Sequence, residues 1–242
     1  MKILALDSSG LVASVAVLEE NHCIAEYTIN YKKTHSQTLL PMLDEISRMI
    51  ELELNTIDAI AVAAGPGSFT GLRIGSATAK GLGQALGKPL IGIPTVEGLA
   101  YNLYGCDKII CPLMDARRNQ AYTGLFEFIK QEEEYVLTVR KEQCAVALDE
   151  IIEEINRLER EVIFLGDGVP VFKEQLREKI KVPFTFAPAS CNRQRAAAVG
   201  TLAFSYAQKG KMESAGEHQP EYLRLSQAER EREEAKKNED SN

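Results

Sequence analysis

Tryptophan is absent and histidine occurs three times, at His22, His35 and His218. No two histidines stand in an H-E-x-x-H or H-x-x-x-H arrangement, so a catalytic metal centre built on one helix face is excluded. No G-x-S-x-G elbow occurs, and no Ser or Cys carries a local triad signature. The five cysteines (Cys23, Cys106, Cys111, Cys144 and Cys191) are odd in number and form no C-x-x-C pair. Neither a zinc site nor a disulfide framework fits that spacing, and free thiols in a reducing cytosol are expected. No apolar run is long enough to span a bilayer, which needs roughly 18 residues or more. The N-terminal stretch is too short and too soon charged for a secretory signal. Cytoplasmic localisation without a membrane partner is therefore expected. With a formal charge of −7 and a pI near 5.2, the chain also lacks the basic excess that displaces counterions from nucleic acid.

Hydrophobic residues are plentiful, at 45 % of 242 residues, enough for one large or two small cores. Lys2–Leu6 ends in Asp7, turns at Ser8-Ser9-Gly10, and is followed by apolar 13–18, the pattern of a hairpin. A third strand is expected at Cys23–Ile29. A helix is expected to open at His35-Ser36, with His35 as its N-terminal cap and Pro41 near its first turn. Ile57–Ala64 is a continuous apolar strand suited to a parallel sheet. Gly65-Pro66-Gly67-Ser68 turns into a helix over Phe69–Leu86, stopped by Gly87-Lys88-Pro89. A strand at 90–93 and a helix over 95–104 follow.

The pattern then restarts. Ile109–Met114 leads to Asp115, a turn at Arg117-Arg118-Asn119 and a strand over Ala121–Phe128. Gapless superposition of Asp115 on Asp7 sets Ala121 on Ala13. Val162–Leu165 with Gly166-Asp167-Gly168 echoes Ile57–Ala64 and its Gly-Pro-Gly turn. Two matches in the same order indicate an internally duplicated fold. Helices over 147–160 and 195–209 belong to the second half. The expected division is a first domain over 1–104, a second over 105–225, and a charged, partly disordered tail over 226–242.

A β-hairpin with an acid at the end of its first strand, given twice, suits the actin-like (RNase H-like) α/β architecture. There, paired hairpins clamp nucleotide phosphates between two domains. Asp7 and Asp115, with Ser8 and Ser9, would then face one phosphate cleft and hold a metal-bound water. The competing reading is that each Asp only caps its own turn. The Gly65–Gly75 stretch is no P-loop, because no Gly-Lys-Ser/Thr follows. Its glycines either offer N–H groups to an anion or serve a tight turn.

Gly71, Gly75, Ala79 and Gly83 recur every four residues and form one slowly drifting stripe of small residues. A glycine inside a helix costs about 1 kcal/mol against alanine. The stripe permits close approach of another backbone, either this chain's sheet or a partner helix. Leu39, Leu40, Met42, Leu43, Ile46, Met49 and Ile50 cover more of their helix than a sheet-covering helix needs.

The runs Ile3-Leu4-Ala5-Leu6-Asp7-Ser8-Ser9, His35-Ser36-Gln37, Gly65-Pro66-Gly67-Ser68-Phe69-Thr70-Gly71-Leu72-Arg73-Ile74-Gly75, Asp115-Ala116-Arg117-Arg118 and Pro220-Glu221-Tyr222-Leu223-Arg224 closely resemble the bacterial TsaB family. The similarity runs from Met1 to about Leu225. It implies a role in making threonylcarbamoyladenosine, the modification beside the anticodon of tRNAs reading codons that begin with A. It further implies docking, through N-terminal helices, to a TsaD-like transferase of related fold, with a small TsaE-like ATPase completing the set. Homodimers through the same surface, and contact with tRNA only through the complex, are implied too. The interface residues it points to are Leu39, Leu43, Ile46, Ile50, Gly71, Leu72, Gly75, Ala79 and Gly83.

The transferase relatives carry an H-x-x-x-H pair where this chain has Thr95 and Leu99, neither an imidazole substitute. The resemblance therefore implies a non-catalytic scaffold subunit with a vestigial cleft at Asp7, Ser8, Ser9 and Asp115. ATP or ADP with magnesium would enter only at an interface with the partner. The alternatives are a self-sufficient actin-fold ATPase or phosphotransferase using Asp7 and Asp115, and, least supported, a metalloprotease.

Overall fold

One element order, run through twice, builds the chain. The computed structural model describes residues 1–20, 22–31 and 34–224. The first pass is β1 (Lys2–Asp7), β2 (Ala13–Glu19), β3 (His22–Ile29), α1 (His35–Met49), β4 (Ala59–Gly65), α2 (Phe69–Leu86), β5 (Leu90–Pro94) and α3 (Thr95–Tyr101). The second is β6 (Ile109–Asp115), β7 (Gln120–Gln131), β8 (Glu134–Ala147), α4 (Leu148–Leu158), β9 (Val162–Leu165), α5 (Val169–Lys179), β10 (Phe184–Phe186) and α6 (Ala196–Gln208). The sheet orders are β3-β2-β1-β4-β5 and β10-β9-β6-β7-β8, the same topology when the second is read backwards. This duplicated α/β arrangement is an actin-like fold. The charged tail at 226–242 lies outside the described residues.

Both sheets are buried on both faces, and alternation sorts their side chains. In the first sheet Leu4, Leu6, Val15, Val17 and Val62 face α1 and α2. Ile3, Ala5, Ala16, Leu18 and Ala61 face α6 instead. The second sheet presents Cys111, Leu113 and Phe164 to α4 and α5, and Ile110, Met114 and Phe126 to α3. The halves thus exchange a helix. α3 follows the first sheet in sequence but covers the second, and α6 follows the second but covers the first. The sheets change hands between β5 and β6, near Gly105, yet residues from Ala196 onward return to the first sheet. Among the described residues no helix is long and apolar enough to cross a membrane.

Several boundaries follow the sequence closely, with α2 spanning Phe69–Leu86 and stopping at Gly87 in the left-handed conformation. Others differ. Asp7 pairs with Ser14, whereas Asp115 pairs with Ala121. The second hairpin turn is therefore one residue shorter, and Ala121 corresponds to Ser14 rather than Ala13. Pro41 sits in the second turn of α1 on its exposed side, where water can serve the carbonyl it leaves unpaired. The sequence pattern predicts no element at β8, α5 or β10.

Candidate functional site

The two hairpin turns and the two glycine turns converge on a cleft of ≈ 1160 Å³. Gly65 has φ +123° and its counterpart Gly166 has φ +109°, both in the region that favours glycine. A Cβ on Gly65 would lie 2.2 Å from the Glu221 carbonyl oxygen, so the backbone here admits no side chain. The Gly65–Pro66 bond is cis. Ser68 caps α2, its hydroxyl accepting from Gly71 N–H at 3.3 Å, while Ser68 N–H donates to Ser9 O at 2.7 Å. These two donors are spent inside the protein, and the glycine turn closes a tight corner against the first hairpin turn.

Asp7 is 2 % exposed, and its Oδ1 accepts from Ser9 N–H at 2.9 Å and from Ser9 Oγ–H at 2.6 Å. Asp115 accepts from Arg117 N–H at 2.8 Å and pairs with the Arg117 guanidinium at 3.0 Å. Each acid bonds the backbone two residues on, the turn-capping arrangement. Burial pushes the Asp7 carboxyl up to about 6, with Ser9 and His35 partly opposing and Asp167 adding to the rise. Asp167, after Gly166, is raised chiefly by burial, with Arg193 opposing and Asp115 adding, and among the described residues its buried Oδ1 has no hydrogen-bond partner. Asp167 was not singled out from sequence; its signal was the Gly-x-Gly echo alone.

His35 does not cap α1. Thr34 occupies the cap position without a side-chain bond, and His35 Nε2 lies 2.9 Å from Gly10 O. The imidazole instead ties α1 to the first hairpin turn. Ser8 Oγ–H donates to Gly71 O at 2.9 Å, binding that turn to α2.

The predicted interface residues mostly point inward. Leu39, Leu43 and Ile46 are at most 5 % exposed and Ile50 is half-buried, all packing on the first sheet. Leu72 and Ala79 are buried as well. The glycine stripe faces the chain's own interior: a Cβ would stand 2.1 Å from the backbone Ser8 O at Gly71, and from side-chain atoms at the next two, 2.5 Å from Ser8 Oγ at Gly75 and 2.4 Å from Leu90 Cδ1 at Gly83. Close packing on the sheet accounts for these glycines. The outer face of the same two helices carries Leu40 at 53 % exposure, Met49 at 77 %, and Arg73, Ala77 and Gly81 exposed. Nothing lies within 4 Å of a Cβ placed on Gly81.

Thr95 and Leu99 have structural work. Thr95 Oγ1 accepts from Gly65 N–H at 3.1 Å, and Leu99 is buried against the second sheet. Among the described residues no group of three or more His, Cys, Asp or Glu could hold a metal ion. Among the described residues the cleft lining sets Asp115, Asp167 and Glu221 against Arg117 and Arg224, with no lysine. Arg117 is held by Asp115 and Arg224 donates to Ala116 O. Asp7 and Asp115 each cap a turn, and Arg117 and Arg224 are engaged by Asp115 and Ala116 O, so neither acid that the sequence nominated is set to hold a magnesium nucleoside triphosphate.

A model of the TsaD family, tRNA N6-adenosine threonylcarbamoyltransferase, matches residues 22–232. A tRNA threonylcarbamoyladenosine biosynthesis protein TsaB of Bacillus subtilis is 34 % identical over 95 % of this chain and 96 % of its own length. The Escherichia coli protein of that name is 31 % identical over 69 % of this chain and 72 % of its own length. Among solved structures, YeaZ from Pseudomonas aeruginosa superposes with a TM-score of 0.72 at 27 % identity, covering 92 % of this chain and 99 % of that one. A second Pseudomonas aeruginosa structure, described as similar to peptidase YeaZ, gives 0.75 at 26 % identity with the same coverage. Actin-like topology, turn-capping acids and full-length similarity agree, and the chain belongs to the TsaB family.

Proposed function

We propose that this chain serves threonylcarbamoyladenosine formation on tRNA as a non-catalytic subunit, docking a TsaD-like transferase through the outer face of α1 and α2. The observation that carries the reading is Gly81, an exposed glycine inside a helix with no neighbour among the described residues within 4 Å of its Cβ position. Its cost of about 1 kcal/mol is offset by no packing contact among those residues. With Leu40 and Met49 exposed on the neighbouring α1, it supports close approach by another helix. The interface thus moves from the buried stripe to the opposite side of the same helices. Alone, the chain pairs with itself over this face. A TsaE-like ATPase joins the complex in the cytoplasm, and tRNA is met through the transferase.

Light scattering after size exclusion tests this, on the chain alone and mixed with its cognate transferase. A wild-type homodimer should convert to a heterodimer, while Gly81→Leu and Met49→Asp should be folded monomers that leave the transferase free. A wild-type monomer that ignores the transferase would sink the reading. The ATPase alternative is opposed by the capped acids of the cleft. Magnesium-dependent ATP hydrolysis by the chain alone, abolished by Asp7→Ala, would revive it.

A further inference from the structure

The C-terminal segment after α6 carries a motif that the docking reading leaves unused. It runs the length of α2 in two unlike stretches. The first is anchored. Glu213 and Leu90 exchange backbone hydrogen bonds at 2.8 and 2.9 Å, adding a short bridge to the edge of β5. His218 is 1 % exposed with Nδ1 2.6 Å from Glu213 Oε1, and Lys80 Nζ donates to His218 O at 2.8 Å. Gly92 leaves room beneath, since a Cβ there would stand 3.3 Å from Glu213 Oε1.

The second stretch, Glu221–Arg224, is held lightly and by both halves. Glu221 N–H donates to Ala64 O at 2.7 Å in the first half. Gln143, on β8 of the second half, donates to Glu221 Oε2 at 2.7 Å and to Gly65 O at 3.2 Å. Arg224 reaches across to Ala116 O in the second hairpin turn. Glu221 and Tyr222 are exposed, so these contacts open at small cost. Asp115 and Asp167 both line the cleft that these contacts bridge.

The stretch also touches the docking helix. The Tyr222 ring lies 4.5 Å from the Phe69 ring, and the Arg73 guanidinium lies 4.1 Å from that same ring. Arg73 belongs to the exposed face that carries Ala77 and Gly81.

We propose that residues 221–224 are a latch: seated, they hold the two halves closed over the cleft and fix Phe69 and Arg73 on the docking face, so latch closure and partner docking favour one another. The first part stands on the geometry alone; the coupling rests on the docking reading above. By linkage, whatever releases the latch weakens docking, and docking protects the latch.

Hydrogen exchange on the full chain tests the latch without any partner. In Arg224→Ala and Tyr222→Ala, the amides of Ala116, Gln120 and Glu221 should exchange about tenfold faster, equivalent to about 1.4 kcal/mol, while those of Ile110 and Ile163 stay unchanged. Unchanged exchange at all three amides in both variants overturns the latch. Affinity for the transferase should then fall about fivefold or more in Tyr222→Ala. Loss of binding in Gly81→Leu with full binding in Tyr222→Ala overturns the coupling and leaves the docking face standing. Full binding in both overturns the docking reading and the coupling with it, and exchange alone then decides the latch.

Discussion

Gly75→Leu is expected to destabilise the chain by about 3 kcal/mol or more, and Gly81→Leu to leave it as stable or up to about 1 kcal/mol more stable. The two glycines lie six residues apart on one helix, so the contrast isolates packing. At Gly75 a Cβ already falls 2.5 Å from Ser8 Oγ and 3.7 Å from Val62 Cγ2, and leucine adds three further carbons in that space. Ser8 must move, losing its 2.9 Å bond to Gly71 O and loosening the first hairpin turn. The first hairpin turn at Ser8 and Val62 on β4 beneath leave no room for the helix to shift cheaply. At Gly81 a side chain meets open space, and replacing glycine lowers the conformational entropy that the unfolded chain must lose on folding. Against a total stability of roughly 5–15 kcal/mol, the difference is readily seen as separated urea midpoints. Coincident midpoints for the two variants would refute the internal packing of the stripe.

That contrast also shows what was legible in the sequence. A four-residue spacing of small residues says that a backbone comes close, but not whose. Ser8 and Leu90, which sit 63 and 7 residues from the glycines they meet, settle it only in three dimensions. Gly81 is off the stripe by two positions from Gly83, and its meaning comes from an empty neighbourhood that no periodicity reveals. α1 misled for a related reason. Leu39, Met42, Leu43 and Ile46 form one buried stripe, while Leu40 and Met49 are the exceptions that face outward. Sequence counted all of them as one over-wide apolar face.

The duplication was readable because its punctuation is chemical. Asp7 and Asp115 end equivalent strands, and Gly65 and Gly166 make equivalent turns at positive φ. What lay between was harder. α5 buries only Phe172 and Leu176, and β10 has three residues, too few for a period to register. The exchange of α3 and α6 between the halves has no local signature either, since each helix is simply apolar. Packing against a distant sheet decides where it goes, and gapless comparison missed the shorter second turn because a one-residue difference in turn length leaves no mark in a comparison without gaps.

Asp7→Asn is expected to stabilise the protein by up to about 3 kcal/mol at pH 7.5, and by much less at pH 4.5. Burial raises the Asp7 carboxyl from 3.8 to about 6, so between those values the folded chain keeps a proton that the unfolded chain has released. Stability therefore falls as pH rises from about 4 to about 6, and the full cost of the buried charge persists above that. Asparagine removes the charge while its side-chain oxygen can still accept the two Ser9 donors that Asp7 Oδ1 serves. The difference between variant and wild type should thus grow with pH, and it includes the smaller repulsion between Asp7 and Asp167, which the variant also removes. Urea denaturation at the two pH values supplies it. A variant less stable than wild type at pH 7.5 would mean that the charge itself is needed at this turn, by a ligand or by His35, and would return Asp7 to the list of working acids.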